Sequence, residues 1–424
     1  MRNLKKILFT IIFMLAHVFI LRNVYLLTKD MLMGDLSAEK MIPLPRYGFA
    51  RIPDSPLTEQ YHAQNRLAVD FAQIYFPAQQ MAALNENYQS GAQDPLQRPS
   101  RYAPLIHFLC SITICRLDYG IASFLHMAIQ IFLFYLVCII SFRSLKIEKY
   151  ILPGLLLANI YLFLTPAGLS WFERGQFSLY VGIAFLLVIL GFIKRNPLLV
   201  ILSAIFGFIK WTSFPTLFVI FSAAILGSKS LTEGKKKLLL GGAFLLVIIA
   251  LTFSFPAQSI EFLKGLYLQE RFSTPGGVSL AKVVPVWIAK LLPIPLIILG
   301  YLHFKINQNA VDRTIPFLAG CAVLMLTYPT LAYEYNLPTL LGFIPLFIYW
   351  TKLPDYPIHA PMRGIMKYSF FGFIFIASFS NLINQGVIIM SEYLFISAFL
   401  LIVPLIYYWK DPLGPNRPTE MHIQ

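Results

Sequence analysis

Asp70 is the first residue along the chain whose setting suggests chemistry. Leu67, Phe71, Ile74, Tyr75, Ala78, Met81 and Ala82 recur at helical spacing and form one apolar stripe. Asp70 falls at the flank of that stripe, facing partly inward. An amphipathic helix of this kind on a membrane surface can hold a carboxylate over the mouth of a cavity. Burial there favours the protonated form and suits the group to general-base work. The plainer alternative is an Asp that pairs with Arg66 or caps a turn. Pro77 is expected to kink the helix or start a second piece.

Cations and polar groups recur at five later points. Arg101, in Arg98-Pro99-Ser100-Arg101-Tyr102-Ala103-Pro104, can bind a lipid phosphate through its guanidinium fork or serve as an interfacial anchor. Glu173, Arg174 and Gln176 surround Gly175, giving headgroup donors and acceptors where the backbone can approach closely, or simply a polar turn. Lys210 follows about 12 apolar residues, roughly 18 Å of helix, so it is either a deep cation awaiting an anionic partner or a snorkelling one. Two further patches, from Gly276 to Lys282 and from Tyr328 to Asn336, suit plain turns. Tyr333, Glu334 and Tyr335 in the second would also suit sugar binding by stacking and hydrogen bonding.

Other chemistries lack their residues. No phosphate-cradling Gly-rich loop, dinucleotide fingerprint, GxSxG or HExxH is present. Cys110, Cys115, Cys138 and Cys321 lie in apolar segments without a CxxC, and read as free buried thiols. The seven His are dispersed, so no metal site is expected.

The elements that must position these residues are membrane helices. Of 424 residues, 57% are hydrophobic and only 13% charged, about half the charge of a soluble domain. The net charge of +14 comes in short basic runs between apolar stretches, as cytoplasmic loops are written, with no basic face carrying interleaved stacking residues for nucleic acid. Met1 to Leu27 reads as an uncleaved first helix with its N-terminus inside. Residues 28–102 form a charge-balanced extracytoplasmic loop carrying amphipathic helices. Spans of about 20 residues are expected near 119–142, 150–168, 177–193, 238–255, 284–304, 314–332, 337–350, 368–390 and 393–409. The stretch 197–227 has basic flanks on both sides and breaks at Lys210, so it reads as two short helices meeting at a polar apex. Residues 103–118 read as a short or re-entrant helix. The expectation is one all-α polytopic domain, 1–424, of about 12 hydrophobic helices, with a cytoplasmic tail at 410–424. Polar segments 28–102, 169–176, 256–283 and 328–336 then share the outer face.

Taken in order, these patches resemble the polyprenyl-phosphate-dependent glycosyltransferases of the GT-C superfamily, most of all glycosyltransferase family 87, which includes a mycobacterial phosphatidylinositol-mannoside mannosyltransferase. The resemblance rests on Asp70-Phe71 with Tyr75, on Tyr102-Ala103-Pro104, on Gly175-Gln176, on Gly207-Phe208-Ile209-Lys210 with Pro215, and on Ser279-Leu280. The family often has Tyr-Pro-Pro at the second of these, Asn where Ser178 stands, and His near Glu334-Tyr335-Asn336.

The resemblance implies a GT-C-type bundle in the cell (inner) membrane that works on its extracytoplasmic face. A hexose, with mannose favoured, passes with inversion from a polyprenyl-phosphate donor to a lipid or glycan acceptor, without a cofactor or a metal. It makes Asp70 the general base and Arg174, Lys210, Gln176 and Arg101 the donor-phosphate ligands. Glu173, Tyr75, Tyr102, Tyr333, Glu334 and Tyr335 then line the sugar or acceptor pocket. A transporter or flippase of a lipid-linked sugar is the alternative, but no internal repeat supports it.

Overall fold

The computed structural model describes residues 2–33, 68, 70–82, 100–228, 230–272, 276–277, 279–282, 284–306, 314–326, 328, 331–332 and 334–352. The chain begins with α1 (Arg2–Met33), α2 (Ala72–Ala82), α3 (Pro104–Ser111), α4 (Tyr119–Ser144) and α5 (Ile151–Leu164). There follow α6 (Pro166–Arg174), α7 (Ser178–Lys194), α8 (Pro197–Ile209), α9 (Phe214–Leu226) and α10 (Leu231–Thr252). The last described helices are α11 (Pro256–Phe272), α12 (Val286–Leu291), α13 (Pro293–Ile306), α14 (Ile315–Leu326) and α15 (Ile344–Trp350). Short 3-10 turns join several of them, and one parallel pair of two-residue strands, β1 (Gly276–Gly277) and β2 (Leu331–Ala332), links two distant loops.

Two helices, α4 and the run from Val286 to Lys305, are long and apolar enough to cross a membrane. α5 with α6 and α10 with α11 qualify as bent pairs, folded by 72° and 103°. The described residues therefore carry two to four candidate spans of a helical membrane protein. The expected spans 368–390 and 393–409 and the tail 410–424 lie outside the described residues, as does most of 28–102.

Helices stop where the sequence cannot continue them. At Thr165-Pro166 the Thr hydroxyl accepts from Gly168 N–H at 3.2 Å and the proline opens α6, so the expected span 150–168 breaks into α5 and α6. Asn196-Pro197 opens α8 in the same way, with Asn196 Oδ1 accepting from Leu198 N–H at 3.0 Å. Residues 197–227 form two 13-residue helices, α8 and α9, separated by Lys210 and a 3-10 turn at Trp211–Ser213, in agreement with the sequence pattern.

Other boundaries differ from expectation. α10 starts at Leu231 and takes in Lys235, Lys236 and Lys237, because Ser230 caps it; Ser230 Oγ accepts from Glu233 N–H at 3.2 Å. Most of the expected loop 256–283 is helix α11. The expected span 314–332 ends at Leu326, since Leu331–Ala332 pair with Gly276–Gly277. The expected span 337–350 is 3-10 helix over Glu334–Phe343 and α-helix only in α15. Pro338 inside that stretch has no N–H for an α-helical ladder. Cys110 and Cys115 are bonded to each other rather than free, across the turn that ends α3, while Cys138 and Cys321 are free and buried.

At the centre is α7, apolar on every side and buried from Ser178 to Gly191. It packs against α4, α8 and the 3-10 stretch 334–343. Two glycines permit the last contact: a Cβ on Gly342 would lie 2.2 Å from Gly182 O, and one on Gly182 would lie 2.7 Å from Thr339 O. Ser178 donates to Tyr335 O at 2.8 Å and Thr339 to Ser178 O at 3.1 Å, which fixes the register of residues 335–339 against the start of α7.

Candidate functional site

The site is built on the turn between α6 and α7. α6 ends in a Schellman arrangement in which Gly175 N–H donates to Phe172 O at 3.0 Å and Gln176 N–H to Trp171 O at 3.1 Å. Gly175 has φ 64°, and a Cβ there would lie 2.7 Å from Ala68 Cβ and 3.1 Å from Phe71 Cβ. Glycine is needed both for the backbone conformation and for this approach. The Asp70 segment is tied to the same turn. Ala68 N–H donates to Glu173 O at 2.7 Å, Asp70 N–H to Arg174 O at 2.9 Å, and the Tyr119 hydroxyl to Ala68 O at 2.7 Å.

These bonds hold Ala68 at φ 65°, so the expected helix from Arg66 begins only at Ala72. Nor is α2 a surface helix. Phe71, Ala72, Gln73, Ile74, Ala78 and Gln80 are all buried, and α2 packs along α3. Pro77 lies within α2, which continues past it to Ala82.

From this frame the side chains converge. Arg174 Nε donates to Asp70 Oδ2 at 2.8 Å and Arg174 Nη2 to Asp70 Oδ1 at 3.3 Å, a forked ion pair. Gln176 Nε2 donates to Asp70 Oδ2, and Gln73 Nε2 reaches Asp70 Oδ1 at 3.5 Å. Gln176 Oε1 accepts from Lys210 Nζ at 2.6 Å, and Asn336 Oδ1 accepts from the same ammonium at 2.5 Å. The Tyr335 ring lies under both cations, 4.7 Å from Arg174 Cζ and 5.9 Å from Lys210 Nζ. Asp70, Arg174, Gln176, Lys210 and Tyr335 thus form one continuous network, with both Asp70 and Gln176 buried.

Positive charge dominates it. Lys210 stands buried in the link between α8 and α9, with Asp70, Arg101 and Arg174 as its charged neighbours. Arg101 therefore lies in the field of the network, yet it makes no hydrogen bond or ion pair among the described residues. Its neighbour Ser100 is anchored on α3 through His107 Nε2 at 2.8 Å.

The remaining candidates are more scattered. Glu173 is buried one residue before Arg174, and its Oε2 has no hydrogen-bond partner among the described residues. Tyr102 packs its ring against Phe177, 4.5 Å between centroids, next to Gln176. Tyr75 turns towards the disulfide turn and donates to Leu117 O at 2.9 Å. Tyr333 and the side chain of Glu334 lie outside the described residues. No three His, Cys, Asp or Glu side chains gather as metal ligands among the described residues.

Three supporting residues escaped the sequence reading. Asn336 holds Lys210, and its signal was a deep lysine that needs oxygen partners. On α4, Gln130 Nε2 donates to Gln176 O at 2.8 Å and lies 2.8 Å from His126 Nε2, while the His126 ring stacks on Phe71 at 4.8 Å. Both are buried polar residues in an apolar helix, which was the available signal.

Fold and site together define a helical membrane protein with a buried, cation-rich polar network at the Ser178 end of its central helix. No family model, curated protein or solved structure matches the chain.

Proposed function

We propose that the protein is a membrane glycosyltransferase that moves a hexose from a polyprenyl-phosphate donor to a lipid or glycan acceptor. The observation that carries this reading is the network itself: a buried carboxylate held directly against Arg174 and linked through Gln176 to Lys210, two cations suited to a phosphate. The sequence resemblance to glycosyltransferase family 87 supplies the donor class, the preference for mannose and a GT-C-type bundle of about 12 helices.

The acceptor hydroxyl gives its proton to an Asp70 carboxylate oxygen. The acceptor oxygen then bonds to the anomeric carbon as the bond from that carbon to the phosphate oxygen breaks, with inversion. Polyprenyl phosphate leaves with an added negative charge, which Arg174, Lys210 and Arg101 stabilise more in the transition state than in the bound donor. The Cys110–Cys115 disulfide, joined to α2 through Gln79 Nε2 and Cys115 O, supports an oxidising, extracytoplasmic location for this end of the bundle in the cell membrane.

The test is transfer of label from polyprenyl-phosphate-mannose to total membrane lipid in nanodiscs, comparing wild type with Asp70→Asn. A product made by wild type alone is expected, with donor binding retained in the variant, and product mass identifies the acceptor. Equal transfer by both proteins would remove Asp70 as the base. A second reading, a flippase for a lipid-linked sugar, draws on the forked Asp70–Arg174 pair, which needs no proton transfer. It predicts tight donor binding without any product and continued donor movement across the bilayer in Asp70→Asn.

A further inference from the structure

The network poses a difficulty for a base. Both carboxylate oxygens of Asp70 already accept hydrogen bonds, from Arg174, Gln176 and Gln73. We propose that Asp70 is the internal counter-ion of the anion site: it occupies Arg174 while the site is empty, and the lipid phosphate displaces it. This rests on the reading above, and it adds how the same site is held closed and then armed.

Four observations support the exchange. A carboxylate and a phosphate offer a guanidinium the same pair of oxygens, so the fork that Arg174 presents to Asp70 fits either. Lys210, by contrast, contacts no carboxylate among the described residues; its hydrogen bonds there go to the neutral amide oxygens of Gln176 and Asn336. With Arg101 also in range, Lys210 has two cations and one carboxylate, Asp70, in its field, while the buried Glu173 acts on Arg174. Buried charge of one sign is costly without a partner, so an empty site needs a carboxylate and an occupied one does not.

The fourth observation concerns the backbone. Ala68 and Asp70 N–H groups are bonded to Glu173 O and Arg174 O, independently of the Asp70 side chain. Displacement is therefore a rotation of one side chain, which leaves the freed carboxylate beside the phosphate it has made way for. Gln176 couples the two events, since its Nε2 is on Asp70 and its Oε1 on Lys210. When Asp70 turns away, that Nε2 is free to donate to the phosphate.

The experiment measures binding of sugar-free polyprenyl phosphate, with polyprenol as the uncharged control, to wild type, Asp70→Asn and Asp70→Ser in nanodiscs. Removing the internal competitor should tighten phosphate binding on the order of tenfold while polyprenol binding stays unchanged. Polyprenyl phosphate should also raise the melting temperature of the variants more than that of wild type, a readout that survives a loss of basal stability. Equal or weaker phosphate affinity in both variants, with polyprenol binding intact, overturns the exchange and leaves the transferase reading to its own assay. Wild type that binds the phosphate no better than the alcohol overturns both.

Discussion

At the residue scale, Gly175 shows how closely the backbone and the chemistry are joined. Its left-handed φ closes α6, and its missing side chain admits Ala68 and Phe71, so the carboxylate and the guanidinium meet across a gap no larger residue allows. Gly175→Ala places a Cβ in that gap and adds about 1–2 kcal/mol of left-handed backbone strain. The expected outcome is a lower melting temperature together with weakened polyprenyl phosphate binding, because the segment that aligns Asp70 with Arg174 is pushed off the turn. A variant that melts lower yet binds normally would show that the 68–71 contact is structural only. Much of this site was legible in the sequence. Asp70, Gly175-Gln176 and the break at Lys210 stand out because polar or helix-breaking residues interrupt apolar runs. Asn336 did not stand out, because an amide in an aromatic loop is unremarkable until a buried ammonium is found against it.

At the element scale, α2 is held where it is by its neighbours rather than by its own periodicity. Tyr75 donates to Leu117 O and Gln79 to Cys115 O, so two side chains of α2 are fixed on the turn that the Cys110–Cys115 disulfide closes. Tyr75 and Phe76 also pack on Tyr119, with centroids 5.0 and 5.9 Å away. Loop entropy gives a ring this short about 2 kcal/mol of stabilisation. Replacing both cysteines with serine should cost about that amount and lower turnover, and a reductant should lower wild-type turnover in the same way. Thermal unfolding and transfer, each with and without reductant, check this; turnover indifferent to reduction would free α2 from the disulfide. Sequence patterning found α2 but gave it a solvent face, because alternation of apolar and polar residues reads the same on a surface helix and on one that buries Gln73 and Gln80. Disulfide pairing was illegible for a related reason: Cys in apolar sequence carries no mark of which compartment its turn reaches.

At the scale of the whole molecule, charge and chemistry lie at opposite ends of α7. Ser178 opens this 17-residue helix beside the network and Lys194 ends it, about 24 Å away. The far end is basic, with Lys194 and Arg195 both exposed there. At the turn after α4, Lys149 and Lys352 lie 5.3 and 5.0 Å from the Tyr150 ring, with Arg143 and Lys146 exposed nearby in sequence. By the positive-inside rule such an end is expected to face the cytoplasm, and the proposed transferase then has its network outside. The disulfide argues the same side from independent chemistry. The helix α11, whose sequence had read as loop, also belongs to the site end. It packs against α3, and Phe262 meets Trp211, the residue after Lys210, at 5.4 Å. On that expectation Tyr267, 63% exposed on α11, serves as the outer marker and Lys194 as the inner one. In right-side-out vesicles a membrane-impermeant maleimide should label Tyr267→Cys at once and Lys194→Cys only after permeabilisation. Cys138 and Cys321 are buried and should stay silent. The reverse pattern would turn the bundle over, place the network on the cytoplasmic side, and leave a donor presented at the outer face without a site to enter.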